Sequence, residues 1–145
     1  MRVRILRRVS AVAAATAAAL ALVPSGTAAA AGHCDFSMTT NRYSCSGPDA
    51  VRGPNDVIGA RVFTGQDFRG DSLTIWVSRP CPKNNVVDHF ISLGGGWRNS
   101  ISSVQGWSTC WVWLYAEDGT RQGPHRGNVS ELGNFNDRTV TVGLS

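Results

Sequence analysis

Two segments of the chain repeat the same order of residue types. Residues 93–104 read Leu-Gly-Gly-Gly-Trp-Arg-Asn-Ser-Ile-Ser-Ser-Val, and residues 132–142 read Leu-Gly-Asn-Phe-Asn-Asp-Arg-Thr-Val-Thr-Val. Each copy runs from a glycine turn through an aromatic residue and small oxygen-bearing side chains to a β-branched strand. Aligned on the aromatic residues, four pairs match: Trp97 with Phe135, Asn99 with Asp137, Ser103 with Thr141, and Val104 with Val142. A supersecondary unit used twice predicts a pseudo-symmetric fold, with any ligand site near its centre.

Residues 1–31 have the composition of a secretory signal peptide. Four arginines precede an uncharged, alanine-rich stretch at residues 9–23, and small residues follow at 28–31. The stretch is short for a membrane-spanning helix, so a membrane anchor is the weaker alternative. We therefore expect a secreted, extracellular protein that has no membrane association once the signal peptide is removed.

The charge of the remaining chain excludes two classes of partner. The full sequence has 14 Lys and Arg and 10 Asp and Glu, and the signal peptide holds four of the arginines, so residues 32–145 carry ten charges of each sign. A neutral domain has no bulk attraction for nucleic acid or anionic lipid, and we expect neither as a partner. These 114 residues suit a single domain, which we expect to be a monomer.

Four cysteines in an exported chain predict two disulfides, and three connectivities are possible. We favour one pair that is local in sequence and one that ties a long loop to the start of a strand: Cys34–Cys45 and Cys81–Cys110. A zinc site is excluded because the sequence has neither a Cys-x-x-Cys pair nor a histidine at ligand spacing.

The pattern of hydrophobic residues is that of an all-β protein. Residues 32–60 are rich in turn sequences and predict a loop-rich N-terminal extension held by its own disulfide. Strands are predicted from residue 61 onward, the clearest at residues 72–77 and 110–115, where apolar residues alternate. Short strands separated by glycine turns predict a β-sandwich with Greek-key connections.

The repeat is preceded by a second motif, in which Phe63 and Phe68 are followed by Gly70. This aromatic hairpin and the later run at residues 97–103 together resemble a βγ-crystallin Greek-key motif, whose signature is such a hairpin followed by Asn/Asp-Asn/Asp-x-x-Ser/Thr-Ser. A weaker copy begins at Tyr115, has Thr120 in place of the second aromatic residue, and ends at residues 136–141. The resemblance implies a two-motif Greek-key β-sandwich over residues 61–145, with motifs at about 61–106 and 110–142.

The same resemblance implies a calcium site, because microbial members of the family bind calcium between their two motifs. Each of their sites combines an Asn or Asp oxygen from one loop with a Ser or Thr hydroxyl from the other. Carried over to this chain, one site would consist of Asn136, Asp137 and Ser102. The other would place Arg98 and Val140 at ligand positions, so we expect at most one calcium ion. The alternative is that these side chains only satisfy backbone groups of their turns.

Protease inhibition is the second function that the resemblance implies. Small secreted bacterial metalloprotease inhibitors have a crystallin-like fold, two disulfides and a signal peptide. An inhibitory loop must be rigid and exposed, and the segment with two prolines and a cysteine fits this description: Arg79, Pro80, Cys81, Pro82 and Lys83. Its partner would be an extracellular protease or another secreted or cell-surface target. An ordinary surface loop is the alternative.

Two further functions are weaker. Trp111, Trp113 and Tyr115 share one face of the strand at residues 110–115 and could stack on sugars, although we favour rings buried in the core. The sequence has no Gly-x-Ser-x-Gly motif, and its glycine run at residues 94–96 lacks the lysine of a phosphate-binding loop. We therefore expect a non-enzymatic protein.

Overall fold

A computed structural model describes residues 32–145, and the predicted signal peptide at residues 1–31 lies outside the described part. The described residues form nine strands: β1 (His33–Ser37), β2 (Arg42–Ser44), β3 (Val57–Phe63), β4 (Ser72–Val77), β5 (His89–Ser92), β6 (Ser103–Gly106), β7 (Val112–Ala116), β8 (Arg121–His125) and β9 (Thr139–Leu144). Short 3₁₀ turns cover Pro48–Ala50, Gln66–Phe68, Gly95–Trp97 and Gly133–Phe135. Between residues 32 and 145 no helix has the length and apolar composition needed to cross a bilayer.

The strands form two sheets, and each half of the chain contributes to both. One sheet has the order β2-β1-β4-β3-β6 and the other the order β5-β9-β7-β8. The third strand of the first half, β5, therefore pairs with the second half. In return, Val129 of the second half forms an isolated bridge with Val104 in β6. This exchange makes a pair of interlocked Greek keys and confirms the predicted all-β sandwich.

The core lies between the sheets because alternate residues of each strand point inward. Ile75 and Val104 from one sheet, and Leu114 and Val142 from the other, are fully buried in the same cluster. Ile75 and Leu114 belong to the apolar faces predicted for residues 72–77 and 110–115, and their burial confirms those faces. Burying four such side chains contributes roughly 2 kcal/mol each to the hydrophobic stabilisation of the sandwich.

The sequence repeat is also a repeat of backbone conformation. Gly95 and Gly133 begin matching 3₁₀ turns with φ of 54° and 55°, and Asn99 and Asp137 have φ of 56° and 55°. Asparagine and aspartate tolerate this left-handed conformation better than most residues. Each of the two residues then donates its amide to the opposite loop: Asn99 to the Thr139 carbonyl at 2.8 Å, and Asp137 to the Ile101 carbonyl at 3.0 Å. These reciprocal bonds bring the two loops side by side.

The extension at residues 32–60 is more ordered than its turn composition predicts. Strand β1 runs parallel to β4, and β2 pairs antiparallel with β1, so the extension adds two strands to the first sheet. Strand β3 begins at Val57, which corrects the predicted boundary at residue 61. The reason is that β3 has a register shift between Ile58 and Ala60, which interrupts its alternation.

Both predicted disulfides are confirmed. Cys34 on β1 is bonded to Cys45 just after β2, and this bond closes the hairpin of the extension. Cys81 is bonded to Cys110, which ties the long segment before β5 to the start of β7. All four cysteines are used, so no free thiol is present in residues 32–145.

Candidate functional site

The first loop is held against the first hairpin by two consecutive serines. Ser102 is 5% exposed; its amide donates to the Phe63 carbonyl at 2.8 Å, and its hydroxyl donates to the Thr64 carbonyl at 3.0 Å. The Ser103 hydroxyl donates to the Gly65 carbonyl at 2.6 Å and accepts the amide of Phe68 at 3.0 Å. Ser102 is therefore a fixed oxygen at the junction of the hairpin and the loop.

The second loop brings a carboxylate to the same place. The left-handed backbone of Asp137 and its amide bond to Ile101 direct its side chain across to the first loop, where Asp137 Oδ1 lies 3.3 Å from Ser102 Oγ. Asp137 is exposed, so this oxygen cluster opens to solvent on one side. The structure thus brings together two of the three residues predicted for a metal site.

Asn136 precedes Asp137 and is half-buried. Its amide donates to the Gly133 carbonyl at 3.0 Å and closes the 3₁₀ turn. Its side-chain Oδ1 is buried and has no hydrogen-bond partner among the described residues. A buried amide oxygen without a partner costs roughly 1–3 kcal/mol. The arrangement around Ser102 therefore includes one carboxylate oxygen, one hydroxyl and one backbone carbonyl, with an unsatisfied amide oxygen on the adjacent residue.

The pseudo-symmetric position has different chemistry. Val140 replaces the hydroxyl of Ser102, and the guanidinium of Arg98 forms an ion pair with Glu117 at 2.9 Å. Arg138 pairs in turn with Asp118 at 3.1 Å. Two hydrogen bonds from Thr120 lower the pKa of Asp118, and Arg138 adds to the effect. Neither ion pair was predicted from the sequence, although Glu117 and Asp118 closely follow Tyr115, the residue that begins the second hairpin. The Glu117 and Asp118 carboxylates therefore both form ion pairs with arginines.

No cluster of three or more His, Cys, Asp or Glu side chains in residues 32–145 is suited to hold a metal ion. Such a cluster is typical of high-affinity transition-metal sites. The Ser102–Asp137 arrangement is of another kind, because it has one formal charge and otherwise neutral oxygens. Oxygens that share one Ca²⁺ at 2.3–2.6 Å lie roughly 3 Å apart, and the observed separations of 3.0 and 3.3 Å are close to that value.

The segment around Cys81 combines exposed flanks with a fixed centre. Arg79, Pro80, Pro82 and Lys83 are exposed, while Cys81 is 7% exposed. The Cys81 amide donates to the Ser108 carbonyl at 3.1 Å, and its carbonyl accepts the Thr109 hydroxyl at 2.6 Å. Together with the disulfide, these bonds hold the centre of the segment against the body of the protein.

The aromatic row lies on the outer face of the second sheet and not in the core between the sheets. On that outer face Trp113 is nevertheless buried at 6% exposure, while Trp111 and Tyr115 are half-buried. Val112 and Leu114 occupy the core face of β7, so the intervening rings must point outward. Arginines cover two of these rings: Arg121 lies 5.0 Å from the Trp113 ring and Arg126 lies 4.3 Å from the Trp111 ring. The rings of Tyr115 and Phe90 pack together with their centroids 5.7 Å apart. The row is thus largely covered by neighbouring side chains of this chain.

No protein-family model and no curated protein matches the chain. Among solved structures, the N-terminal domain of protein S is 20% identical, covering 60% of this chain and 94% of that one, with a TM-score of 0.45. A Ca²⁺-bound βγ-crystallin domain of Abundant Perithecial Protein from Neurospora crassa is 10% identical, covering 64% and 93%, with a TM-score of 0.42. A structure concerned with the evolution of the eye lens βγ-crystallin domain fold is 19% identical, covering 66% and 92%, with a TM-score of 0.41.

The strand pairing and the motifs of this chain identify its fold. Its two halves exchange their third strands, and each half carries the hairpin and the loop of the motif described above. Residues 57–145 therefore have a βγ-crystallin-like double Greek-key fold.

Proposed function

We propose that this chain is a secreted, non-enzymatic βγ-crystallin-like protein that binds one calcium ion between its two Greek keys. The observation that carries the proposal is the 3.3 Å approach of the Asp137 carboxylate to the Ser102 hydroxyl. Two disulfides are in keeping with an oxidising, extracellular environment. Calcium is abundant in such environments and prefers oxygen ligands.

The oxygens at this position suit calcium better than a softer metal. The Asp137 carboxylate, the Ser102 hydroxyl and the Thr64 carbonyl are hard donors. The Asn136 amide oxygen, on the same loop as Asp137, has no hydrogen-bond partner within residues 32–145. Calcium takes six to eight ligands, so water would complete the sphere on the exposed side. Because the site holds a single carboxylate, we expect a low affinity, in the range of extracellular calcium modules.

Calcium titration of the purified protein tests this proposal. We expect heat in isothermal titration and a rise in melting temperature, because a ligand at 100 times its dissociation constant stabilises the fold by about 2.7 kcal/mol. Asp137→Asn and Ser102→Val should each abolish both effects. Asp118→Asn is the matched control, since it removes a nearby exposed carboxylate and should leave calcium binding intact. Absence of heat and of any thermal shift in the native protein would refute the proposal.

Protease inhibition is a second candidate, supported by the fixed centre and exposed flanks of the segment from Arg79 to Lys83. An inhibitor binds tightly when its loop loses little freedom on binding. Residual activity of a thermolysin-type and a subtilisin-type protease at equimolar protein tests the idea. Inhibition that is lost when Lys83 and Arg79 are replaced by alanine would support it, and full activity of both proteases would exclude it.

A further inference from the structure

A cavity of about 370 Å³ opens where the N-terminal extension meets the first Greek key. Small-molecule sites have volumes of roughly 300–1,000 Å³, so this cavity is large enough for a compact ligand. Its walls are Phe36 on β1, Tyr43 on β2, Leu73 on β4 and Ile91 on β5, and its rim is the loop from Leu93 to Trp97. None of the described residues that line it is charged.

The rim contains three consecutive glycines, and the fold requires only one of them. Gly95 has φ of 54°, like its counterpart Gly133, and needs glycine for that conformation. Gly94 is extended, with φ of −119° and ψ of 174°, and Gly96 is not in the left-handed region. A Cβ atom at Gly94 or Gly96 would have no atom within 4 Å among residues 32–145, apart from those of its own residue and its chain neighbours.

The second Greek key provides an internal comparison for these glycines. Aligned on the aromatic residues, Gly96 corresponds to Asn134, which carries a side chain in the equivalent 3₁₀ turn. Gly94 falls opposite Leu132, but the two residues differ in backbone conformation, with ψ of 174° and 0°, and the buried leucine that precedes the first turn is Leu93. Two glycines that neither backbone conformation nor packing requires increase the entropy lost on folding. They leave the rim of the cavity without side chains at these two positions, as is found where a ligand approaches the backbone closely.

The polar groups at the mouth define the chemistry of a ligand. The Trp97 indole N–H donates to the Tyr43 hydroxyl oxygen at 3.0 Å, which leaves the Tyr43 O–H free to donate. The Tyr43 hydroxyl oxygen also lies 3.3 Å from Cys45 Sγ. Because this sulfur is in a disulfide, it carries no proton and is only a weak acceptor. Tyr43 is also 54% exposed. A ligand oxygen would therefore be a better acceptor than the sulfur.

We infer that this cavity binds a small uncharged aromatic molecule that carries an oxygen acceptor. Aromatic and aliphatic walls favour a flat apolar ring. A charged ligand would lose its hydration without meeting an opposite charge. A sugar would bury more hydroxyls than the few polar groups of the wall can pair. The site is separate from the Ser102–Asp137 cluster and does not depend on calcium.

Amide NMR spectra of the ¹⁵N-labelled protein, titrated with acetophenone, test the inference. Acetophenone has an uncharged ring and one carbonyl acceptor; ethylbenzene lacks the acceptor, and benzoate adds a negative charge. We expect saturable shifts of the Gly94, Gly95 and Gly96 amides with acetophenone, at a dissociation constant in the millimolar range typical of such small ligands. Ethylbenzene should bind several-fold more weakly, and benzoate should not bind.

Variants that add side chains to the rim test its role. The double variant Gly94→Leu and Gly96→Asn should weaken acetophenone binding by about tenfold or more, while Gly127→Leu, at another open glycine, should not. Tyr43→Phe should remove the preference for acetophenone over ethylbenzene. Because this variant deletes only a hydroxyl group, it tests the site even if the double variant folds poorly. Absence of saturable shifts, or unchanged binding in a folded double variant, would overturn the inference. Concentration-dependent shifts at this site without ligand would overturn it in favour of self-association.

Discussion

Asp56 holds the N-terminal extension through three hydrogen bonds. Asp56 Oδ2 accepts the Ser37 hydroxyl at 2.7 Å and the Gly53 amide at 2.8 Å, and Oδ1 accepts the Thr39 hydroxyl at 2.5 Å. Asp56 is 9% exposed and Ser37 is fully buried. The carboxylate thus ties the end of β1 to the loop that enters β3.

We predict that Asp56→Asn destabilises the protein by about 2 kcal/mol. An asparagine whose oxygen takes the place of Oδ2 still accepts the Ser37 hydroxyl and the Gly53 amide, but its NH₂ group then faces the Thr39 hydroxyl, and the negative charge is lost. A hydrogen bond to a charged group contributes about 1.5–3 kcal/mol. For a domain of this size, 2 kcal/mol lowers the melting temperature by roughly 7 °C.

Urea and thermal unfolding, monitored by circular dichroism at pH 7, measure this effect. Asp49→Asn is the matched control, because the Asp49 side chain is 88% exposed and pairs with Arg52 at the surface, so it should change stability by less than about 0.5 kcal/mol. Equal stability of Asp56→Asn and the native protein at pH 7 would show that the carboxylate does not anchor the extension.

The same carboxylate predicts a pH dependence. Burial raises the pKa of Asp56, but the hydrogen bonds from Ser37, Thr39 and the Gly53 amide, with the charge of Arg52, outweigh it and hold the pKa below 3.8. The unfolded chain then binds the proton more readily, so this contribution is complete above pH 3.8 and is lost as the pH falls through the folded-state pKa. The stability difference between the native protein and Asp56→Asn should therefore narrow in acid. A constant difference down to pH 2 would contradict this reasoning.

Two further predictions concern His125 and Gly106, which are both half-buried. Burial lowers the pKa of His125 below 6.5, so the folded state resists protonation of this histidine, and stability should fall as the pH drops below 6.5. In His125→Gln, the free energy of unfolding should depend less on pH between 7.5 and 5.5. An unchanged pH dependence would contradict this. Gly106→Ala would place a Cβ atom 2.6 Å from the Cys110 carbonyl oxygen, so we expect a loss of about 1–3 kcal/mol in thermal unfolding. Gly127→Ala, whose Cβ atom would have no neighbour within 4 Å, should stay within about 0.5 kcal/mol.

The repeat made the centre of the fold predictable, because it is a local pattern that occurs twice. The alternation of residues 72–77 and the match of Asn99 with Asp137 required no knowledge of distant partners. The approach of Ser102 to Asp137 did not follow from the repeat alone. The resemblance to the βγ-crystallin motif implied it, because the sites of that family combine side chains from both loops.

The strands that sequence analysis missed are those whose residues satisfy tertiary partners instead of a local pattern. Strand β8 (Arg121–His125) contains Gly123 and Pro124, which normally indicate a turn. Strand β1 has Asp35 in its interior, and this carboxylate is buried because it accepts the Trp76 indole N–H at 2.8 Å. The role of Asp56 was hidden for the same reason, since its partners Ser37 and Thr39 lie at the end of β1 and in the turn that follows it. Such pairings depend on distances that one segment does not specify.

The parallel pairing of β1 with β4 also bears on aggregation. All six residues of β4 are buried, and without the extension its backbone donors and acceptors would form an open edge flanked by apolar side chains. Such an edge is a template for pairing with another chain. The outermost strand is instead β2, which has only three residues and begins with an exposed arginine, Arg42. The extension thus covers a six-residue strand that could pair with another chain, and it leaves a short charged strand at the edge of the sheet. Removal of the extension would therefore favour edge-to-edge association of the sandwich.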